Sequence, residues 1–469
     1  MIQAIPGKPP ASLGRPQDAW IAWAGRIGLF AFALFYQLNP TVSYVGLGLM
    51  LVVFILQSEH WMPILKRDSV VQVYLGLVGF ILGYALWAAH EFPETASAQW
   101  VAVVDWMHWL AFIPVAWVVR ENKKHLNTLL LLLVVGVLVR ILIHVEWGQI
   151  ANIFQWPRMG FGLTETVFAP LAGISALGLL LLAPRIISGY SRPWLGWMVG
   201  GLWLAGLVII LQALVLSQTR GVWLAAAIAF PIGLAVRYQD WLRGQSFKSA
   251  KTLSILGLAA SIAGLFILLN AGFFIHRIQS EPIKADPAVV NTVIEGEKKI
   301  ITTTAISYRL IMWRIGAEKW LERPLLGWGP GTSEYLLQQS DNPLLKQRVT
   351  LQDGTEYSPH LPHLHSVYLE ALVRFGALGA ILFFALPVML LRGVWKAYSQ
   401  GAVPWDYACF LLAGWGFTAI LSAFDFQIFK FAWRNYCVIW AGLSYAVYLE
   451  NLLQARAAGI NTPAEYLGK

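Results

Sequence analysis

Apolar runs long enough to cross a bilayer recur along most of this chain, and they leave little room for any other kind of fold. About 20 apolar residues cross the hydrocarbon core as a helix. That length predicts twelve spans, at 20–38, 42–57, 70–90, 100–119, 126–144, 167–183, 194–216, 222–236, 253–274, 367–391, 405–424 and 431–449. The second, sixth and eighth are short. Composition agrees: 57% of the 469 residues are hydrophobic and 13% are charged, against roughly 25% charged in an ordinary soluble domain. The fold class expected is an all-α polytopic membrane protein.

Basic residues orient the bundle. Lys66 and Arg67, then Arg120, Lys123 and Lys124, then Arg185 and Arg192 fall in alternate connections. Arg237, Arg243, Lys248, Lys251, Arg392 and Lys396 continue the series, with Lys8 and Arg15 before it and Arg456 and Lys469 after it. Short loops rich in Lys and Arg stay cytoplasmic, so both termini are expected there. The net charge of +9 is thereby explained by topology, and no nucleic acid is implied. The two cysteines, Cys409 and Cys437, both lie in apolar runs, which argues against a disulfide framework or a thiolate metal site. The first run, from Trp20, follows a polar, proline-containing tail and reads as a retained span rather than a cleaved signal.

Three parts follow: an N-terminal bundle, 1–274; a long polar loop, 275–366; and three C-terminal spans with a tail, 367–469. The loop is expected on the outer side. Residues 281–301 read as polar and irregular with some helix. From 302 to 322 the spacing is helical, with Ile306, Leu310, Trp313, Ala317 and Trp320 or Leu321 on one face. Arg323-Pro324 stops that helix, and Gly327 to Thr332 makes a turn. Residues 333–339 suit a second short helix, and 342–362 are polar and broken by proline.

Several polar residues at the outer side invite a chemical reading. Arg220, in Ser217-Gln218-Thr219-Arg220-Gly221, joins two apolar runs where positive charge is disfavoured. An end-of-span arginine can simply snorkel, but a boundary arginine is by default a functional hypothesis, and guanidinium suits phosphate. Arg309 and Arg314 share the predicted helix roughly 140° apart, so one can face a site while the other is solvated beside Glu318, Lys319 and Glu322. His360, His363 and His365 allow a zinc reading, yet the flanking Pro359 and Pro362 break the helical spacing that such ligands use. A single histidine acting as general base is the other reading. Arg158 sits among Trp147, Phe154, Trp156 and Phe161, which reads either as an interfacial aromatic belt or as a docking surface for a lipid-linked substrate. Trp313 and Tyr368 read as core packing or as sugar-stacking groups.

His365-Ser366, nine further residues and then Gly376-Ala377-Leu378-Gly379 match the signature H-[NSQ]-x9-G-x-x-[GTY]. With Thr219-Arg220-Gly221, Tyr308-Arg309-Leu310-Ile311-Met312-Trp313 and Arg323 to Gly331, this resembles the bacterial O-antigen ligases of the ligase and polymerase superfamily. The resemblance implies about twelve spans with a large helical periplasmic loop between the ninth and tenth. It implies transfer of O-antigen polysaccharide from undecaprenyl pyrophosphate to lipid A–core oligosaccharide at the periplasmic face of the inner membrane. His365 would be the base, and Arg220 and Arg309 would grip the pyrophosphate. His360, His363, Arg158, Arg314, Trp313 and Tyr368 would contact substrates or orient groups that do. The reaction would invert the anomeric centre and need neither metal nor cofactor. Glu370, five residues past His365, is expected on another side of its helix and is not assigned as the base. An O-antigen polymerase and a protein O-oligosaccharyltransferase remain alternatives, as does a lipid-linked sugar transporter without catalysis.

Overall fold

The computed structural model describes residues 16–120, 123–155, 157–188, 190–244, 261–262, 264–279, 291–295, 298–302, 305–340, 349–350, 356–357 and 363–457. Helix dominates them. The first elements are α1 (Pro16–Phe35), α2 (Pro40–Leu56), α3 (Ser58–Leu65), α4 (Ser69–Glu91), α5 (Ala96–Met107) and α6 (Phe112–Arg120). Then come α7 (Lys123–His144), α8 (Glu165–Leu181), α9 (Ala183–Ile187), α10 (Pro193–Leu216), α11 (Arg220–Arg237) and α12 (Gln239–Gly244). The remainder are α13 (Ala271–Gln279), α14 (Ala305–Glu322), α15 (Ser333–Gln338), α16 (Val367–Ser399), α17 (Trp405–Ser422) and α18 (Phe431–Ala457).

Local chemistry sets several of these starts. Asn39 accepts from the Val42 amide at the head of α2, with Pro40 at the first helical position. Asp68 accepts from the amides of Val70 and Val71 at the head of α4. Among the described residues, six helices are long and apolar enough to cross a membrane, or seven if α2 and α3, bent by 80°, form one span. The chain is a multi-pass membrane protein. Helices α17 and α18 stand at the last two expected spans, while the ninth, 253–274, lies partly outside the described residues.

The largest core joins Leu29, Phe32 and Met50 to Leu129, Phe168, Leu171, Phe417, Trp440 and Tyr445. Lipid tails are as apolar as these side chains, so close packing rather than escape from water holds spans together. Gly28 and Gly46 show the consequence: a Cβ on either would stand 2.7 Å from the other's carbonyl oxygen. Trp197, Leu202, Val104 and Ile381 point outward, each more than 60% exposed, as a lipid-facing surface requires.

The polar loop departs from expectation in two ways. It contains two short antiparallel hairpins, β1 (Asn291–Glu295) with β2 (Lys298–Thr302) and β3 (Val349–Thr350) with β4 (Glu356–Tyr357). Irregular chain with some helix was expected where the first of these stands. The helix at 302–322 forms as α14, but its buried face is Ile311, Met312 and Ile315, while Leu310 and Leu321 are exposed. Helical spacing identified the element but not which of two apolar stripes faces the protein. That face meets Leu336 and Leu337 of α15, Leu364, and Val373 of α16.

Candidate active site

The turn after α14 is welded to a break in α16. Gly376 has φ 61° and ψ −170°, which interrupts the helix and frees amides to pair sideways. The Ala377 and Leu378 amides donate to the carbonyls of Pro324 (2.8 Å) and Leu325 (3.1 Å), while those of Trp328 and Gly329 donate to Val373 and Arg374 (2.9 Å each). A Cβ on Gly376 would overlap the Leu325 carbonyl, and one on Gly327 would lie 2.5 Å from the Val373 oxygen. The other signature glycine, Gly379, leaves room for Phe80 of α4, 2.5 Å from where its Cβ would be. Both signature glycines are therefore packing requirements. Tyr84 donates to the Gly327 carbonyl at 2.6 Å and Gln99 accepts from the Gly331 amide at 2.7 Å, which ties the turn to α4 and α5.

Glu370 fixes the histidine segment to this frame. It is 1% exposed. One carboxylate oxygen accepts from the Leu364 amide at 2.6 Å, and the other accepts from Ser333 Oγ and Arg374 Nε, each at 2.6 Å. Arg374 donates onward to the Pro330 carbonyl. A carboxylate fully engaged by three donors is not available as a base, in line with the sequence reading. Ser366 caps α16 by accepting from the Leu369 amide, a role that suits the Ser and Asn the signature accepts after the histidine.

His365 lies between these anchors with φ 53°, a left-handed conformation that costs a non-glycine residue about 1–2 kcal/mol. Its amide donates to His363 Nδ1 at 3.3 Å, so His363 holds the strained bend. His363 is buried, and burial, followed by the neighbouring His365 charge, pushes its pKa down to about 4. It is neutral at physiological pH. His365 Nδ1 faces the Asp425 carboxylate at 3.6 Å. Burial works to raise the Asp425 pKa, but His365 and Gln427 together outweigh it and hold the carboxyl below its ordinary value. Asp425 lies on the α17–α18 connection, inside an apolar run, and was missed by sequence reasoning. The one available signal was a lone acid at the outer end of a predicted span.

The residue before it, Phe424, draws the two arginine motifs toward the histidine. The Gly221 backbone passes so close that an added Cβ would sit 3.6 Å from Phe424 Cβ. Trp313 of α14 approaches the Phe424 ring at 6.4 Å between centroids. Arg220 precedes Gly221, and Arg309 lies one turn before Trp313 on the same helical face. Arg220 and Arg309 are both partly buried. Arg314 is on the other side, 82% exposed and paired with Glu318 at 2.9 Å, as a solvated helix face would be.

The remaining candidates are placed as follows. Arg158 does not stand apart in a belt: its Nε donates to the Ser217 carbonyl at 3.1 Å, beside Arg220. Trp147 is exposed as a belt residue would be, whereas Phe161 is 2% exposed and packs on Phe168. Tyr368 donates to the Ala419 carbonyl at 2.8 Å and stacks on Phe384. It lines an apolar cavity of about 150 Å³ between α16, α17 and α18. His360 and Trp156 lie outside the described residues. Among the described residues no three His, Cys, Asp or Glu side chains gather as metal ligands.

A sequence model of the family described as O-antigen ligase matches residues 205–384, a stretch that holds Arg220, Arg309, His365 and both signature glycines. Proteins named "Putative polysaccharide ligase" from Rickettsia conorii and Rickettsia typhi are 28% and 29% identical to the chain over 116 residues, 25% of its length. The aligned part spans 27% of each relative. The matched region, less than half of the chain, is thus similar to the O-antigen ligase family, and it lies in a chain of helical membrane architecture.

Proposed function

We propose that this protein is a membrane glycosyltransferase that moves O-antigen polysaccharide from undecaprenyl pyrophosphate to lipid A–core oligosaccharide. It would act at the periplasmic face of the inner membrane, with twelve spans and both termini in the cytoplasm. The observation that carries the reading is the pairing of His365 with the buried Asp425 carboxylate beside the segments that bear Arg220 and Arg309.

The acceptor hydroxyl oxygen attacks the anomeric carbon of the donor sugar, and the bond from that carbon to the pyrophosphate oxygen breaks. The far nitrogen of His365, Nε2, takes the hydroxyl proton. Asp425 orients the ring and stabilises the imidazolium as it forms, a role in which a buried carboxylate contributes orders of magnitude in rate. The pyrophosphate leaves on the polyprenyl chain with one added negative charge. Arg220 and Arg309 neutralise that charge, and fixed cations aimed at developing charge are the largest contribution a site of this kind makes. The proton then passes from His365 to solvent. One direct displacement inverts the anomeric centre, and the sugar–pyrophosphate bond supplies the driving force, so neither metal nor ATP is needed.

Comparison of lipopolysaccharide from a deletion strain restored with wild type, His365→Ala or Asp425→Asn tests the reading. Wild type should restore O-antigen-bearing bands, and the variants should leave polymer on the lipid carrier. Core bearing a single repeat in the deletion strain would point instead to a polymerase. An unchanged ladder in that strain would exclude the ligase reading.

A further inference from the structure

The segments that bring His365 and Asp425 together also wall the apolar cavity of about 150 Å³. Val367 and Tyr368, which follow His365-Ser366 at the head of α16, line it, and so does Ile428, three residues beyond Asp425. Its other walls include Leu390 of α16 and Ala441 of α18. Pro387 interrupts the hydrogen-bond ladder of α16, and residues of the turn before it, Phe383, Phe384 and Leu386, stand in the wall.

The cavity offers a ligand almost nothing but carbon. The Tyr74 hydroxyl donates to the Trp106 carbonyl at 3.2 Å, the Tyr368 hydroxyl to the Ala419 carbonyl at 2.8 Å and the Thr418 hydroxyl to the Gly414 carbonyl at 2.9 Å. The Trp415 indole donates to Ser444 Oγ at 3.0 Å. Wall groups that already have partners inside the protein call for neither water nor a polar ligand. An apolar cavity of about this volume accepts a benzene-sized group, and an isoprene unit, a branched five-carbon group, is of that size. A straight acyl chain is thinner and leaves part of such a wall without contacts.

We propose that this cavity seats an isoprene unit of the donor's polyprenyl chain and makes the site selective for methyl-branched over straight-chain lipid diphosphates. This inference rests on the reading that the donor is a polyprenyl diphosphate held beside His365 and Asp425. Continuity supplies the occupant: a lipid whose polar end stands at that pair meets the cavity at Val367, Tyr368 and Ile428. The tail is already surrounded by lipid, so the cavity contributes close packing rather than escape from water. Its effect is therefore one of selectivity, built from individually small contacts.

The test uses the full chain in nanodiscs and measures equilibrium binding of farnesyl diphosphate against dodecyl diphosphate, a straight chain of equal main-chain length. Wild type should bind the farnesyl ester about fivefold more tightly, the effect of several carbon contacts made by its methyl branches. Ala419→Phe puts a ring into the cavity from an exposed position of α17. It should weaken binding of the farnesyl ester alone and bring the two affinities within about twofold of each other. Should that variant fail to fold, wild type decides by a second measurement. A farnesyl diphosphate with a photoreactive group on its tail should label α16 between Val367 and Leu390 or α18 between Trp433 and Ala441, and unlabelled farnesyl diphosphate should prevent the labelling. Equal affinity of wild type for the two esters, or labelling elsewhere, overturns the inference and leaves the parent reading of the diphosphate standing. If farnesol binds as tightly as its diphosphate and responds to Ala419→Phe, the cavity stands and the parent reading falls. If a photoreactive phosphatidylcholine labels the same residues and farnesyl diphosphate does not displace it, the cavity belongs to bulk lipid and the inference fails. If wild type binds none of these probes, both fall.

Discussion

Replacing Glu370 by Gln tests whether the buried carboxylate holds the histidine segment in place rather than taking part in chemistry. Gln has nearly the same shape but no charge, and its NH2 group must face one of the three donors that now converge on the carboxylate. Arg374, 7% exposed at its side chain, loses its ionic partner 2.6 Å away. Breaking a buried ion pair by changing one member costs about 3–5 kcal/mol, because the other charge stays buried and uncompensated. Arg374→Met should cost a similar amount, since it strands the carboxylate and the Pro330 carbonyl. The double variant should cost much less than the sum, with a coupling of about 2 kcal/mol or more. Thermal unfolding of the four purified proteins in one detergent measures the cycle. Additive losses would refute the reasoning, because they would mean that the two side chains do not act on each other. The residual transfer activity of Glu370→Gln should keep the wild-type pH profile, since the proposed base is His365. A shifted profile would instead make Glu370 part of the proton chemistry.

Further expectations follow from the same geometry. Asp425→Asn should lower transfer by about 10²–10⁴-fold with the fold retained, and a loss under fivefold would remove Asp425 from the mechanism. The folded-state pKa of His363, about 4, lies below its ordinary 6.5, so the neutral ring contributes stability that is fully present above pH 6.5 and is lost as pH falls toward 4. The difference amounts to about 3 kcal/mol, and His363→Asn, which keeps an acceptor for the His365 amide, should flatten stability across that window. Asp425 acts in the same sense at lower pH: its depressed pKa favours the fold above the ordinary carboxylate value and ceases to do so as pH falls through the folded one. Gly376→Ala should abolish accumulation of folded protein, because of its φ and the Leu325 carbonyl, while Gly48→Ala in α2, with open space around it, should be neutral in thermal unfolding. Chelators should leave transfer unchanged; a loss restored by a divalent ion would overturn metal independence.

Much of this protein was legible in one dimension. Span length and the shortage of charge determine a polytopic helical chain, because a bilayer offers backbone groups no other partners. The Arg323-Pro324 stop, the glycine turn and the spacing from His365 to Gly379 are local facts that mark where the chain bends. Arg220 stands out because charge at the edge of an apolar run is costly there. Other features depend on packing between segments far apart in sequence. Two apolar stripes on α14 look alike until α15 and α16 choose Ile311, Met312 and Ile315. Arg158 lies 59 residues before the Ser217 carbonyl that it meets. Asp425 lies 60 residues beyond His365 and carries no motif. Hydropathy reports what each segment does with the membrane, and that is set by its own side chains. Which polar groups face each other beside these helix ends is set by how α11, α14, α16 and the α17–α18 connection meet, and only the tertiary structure decided it.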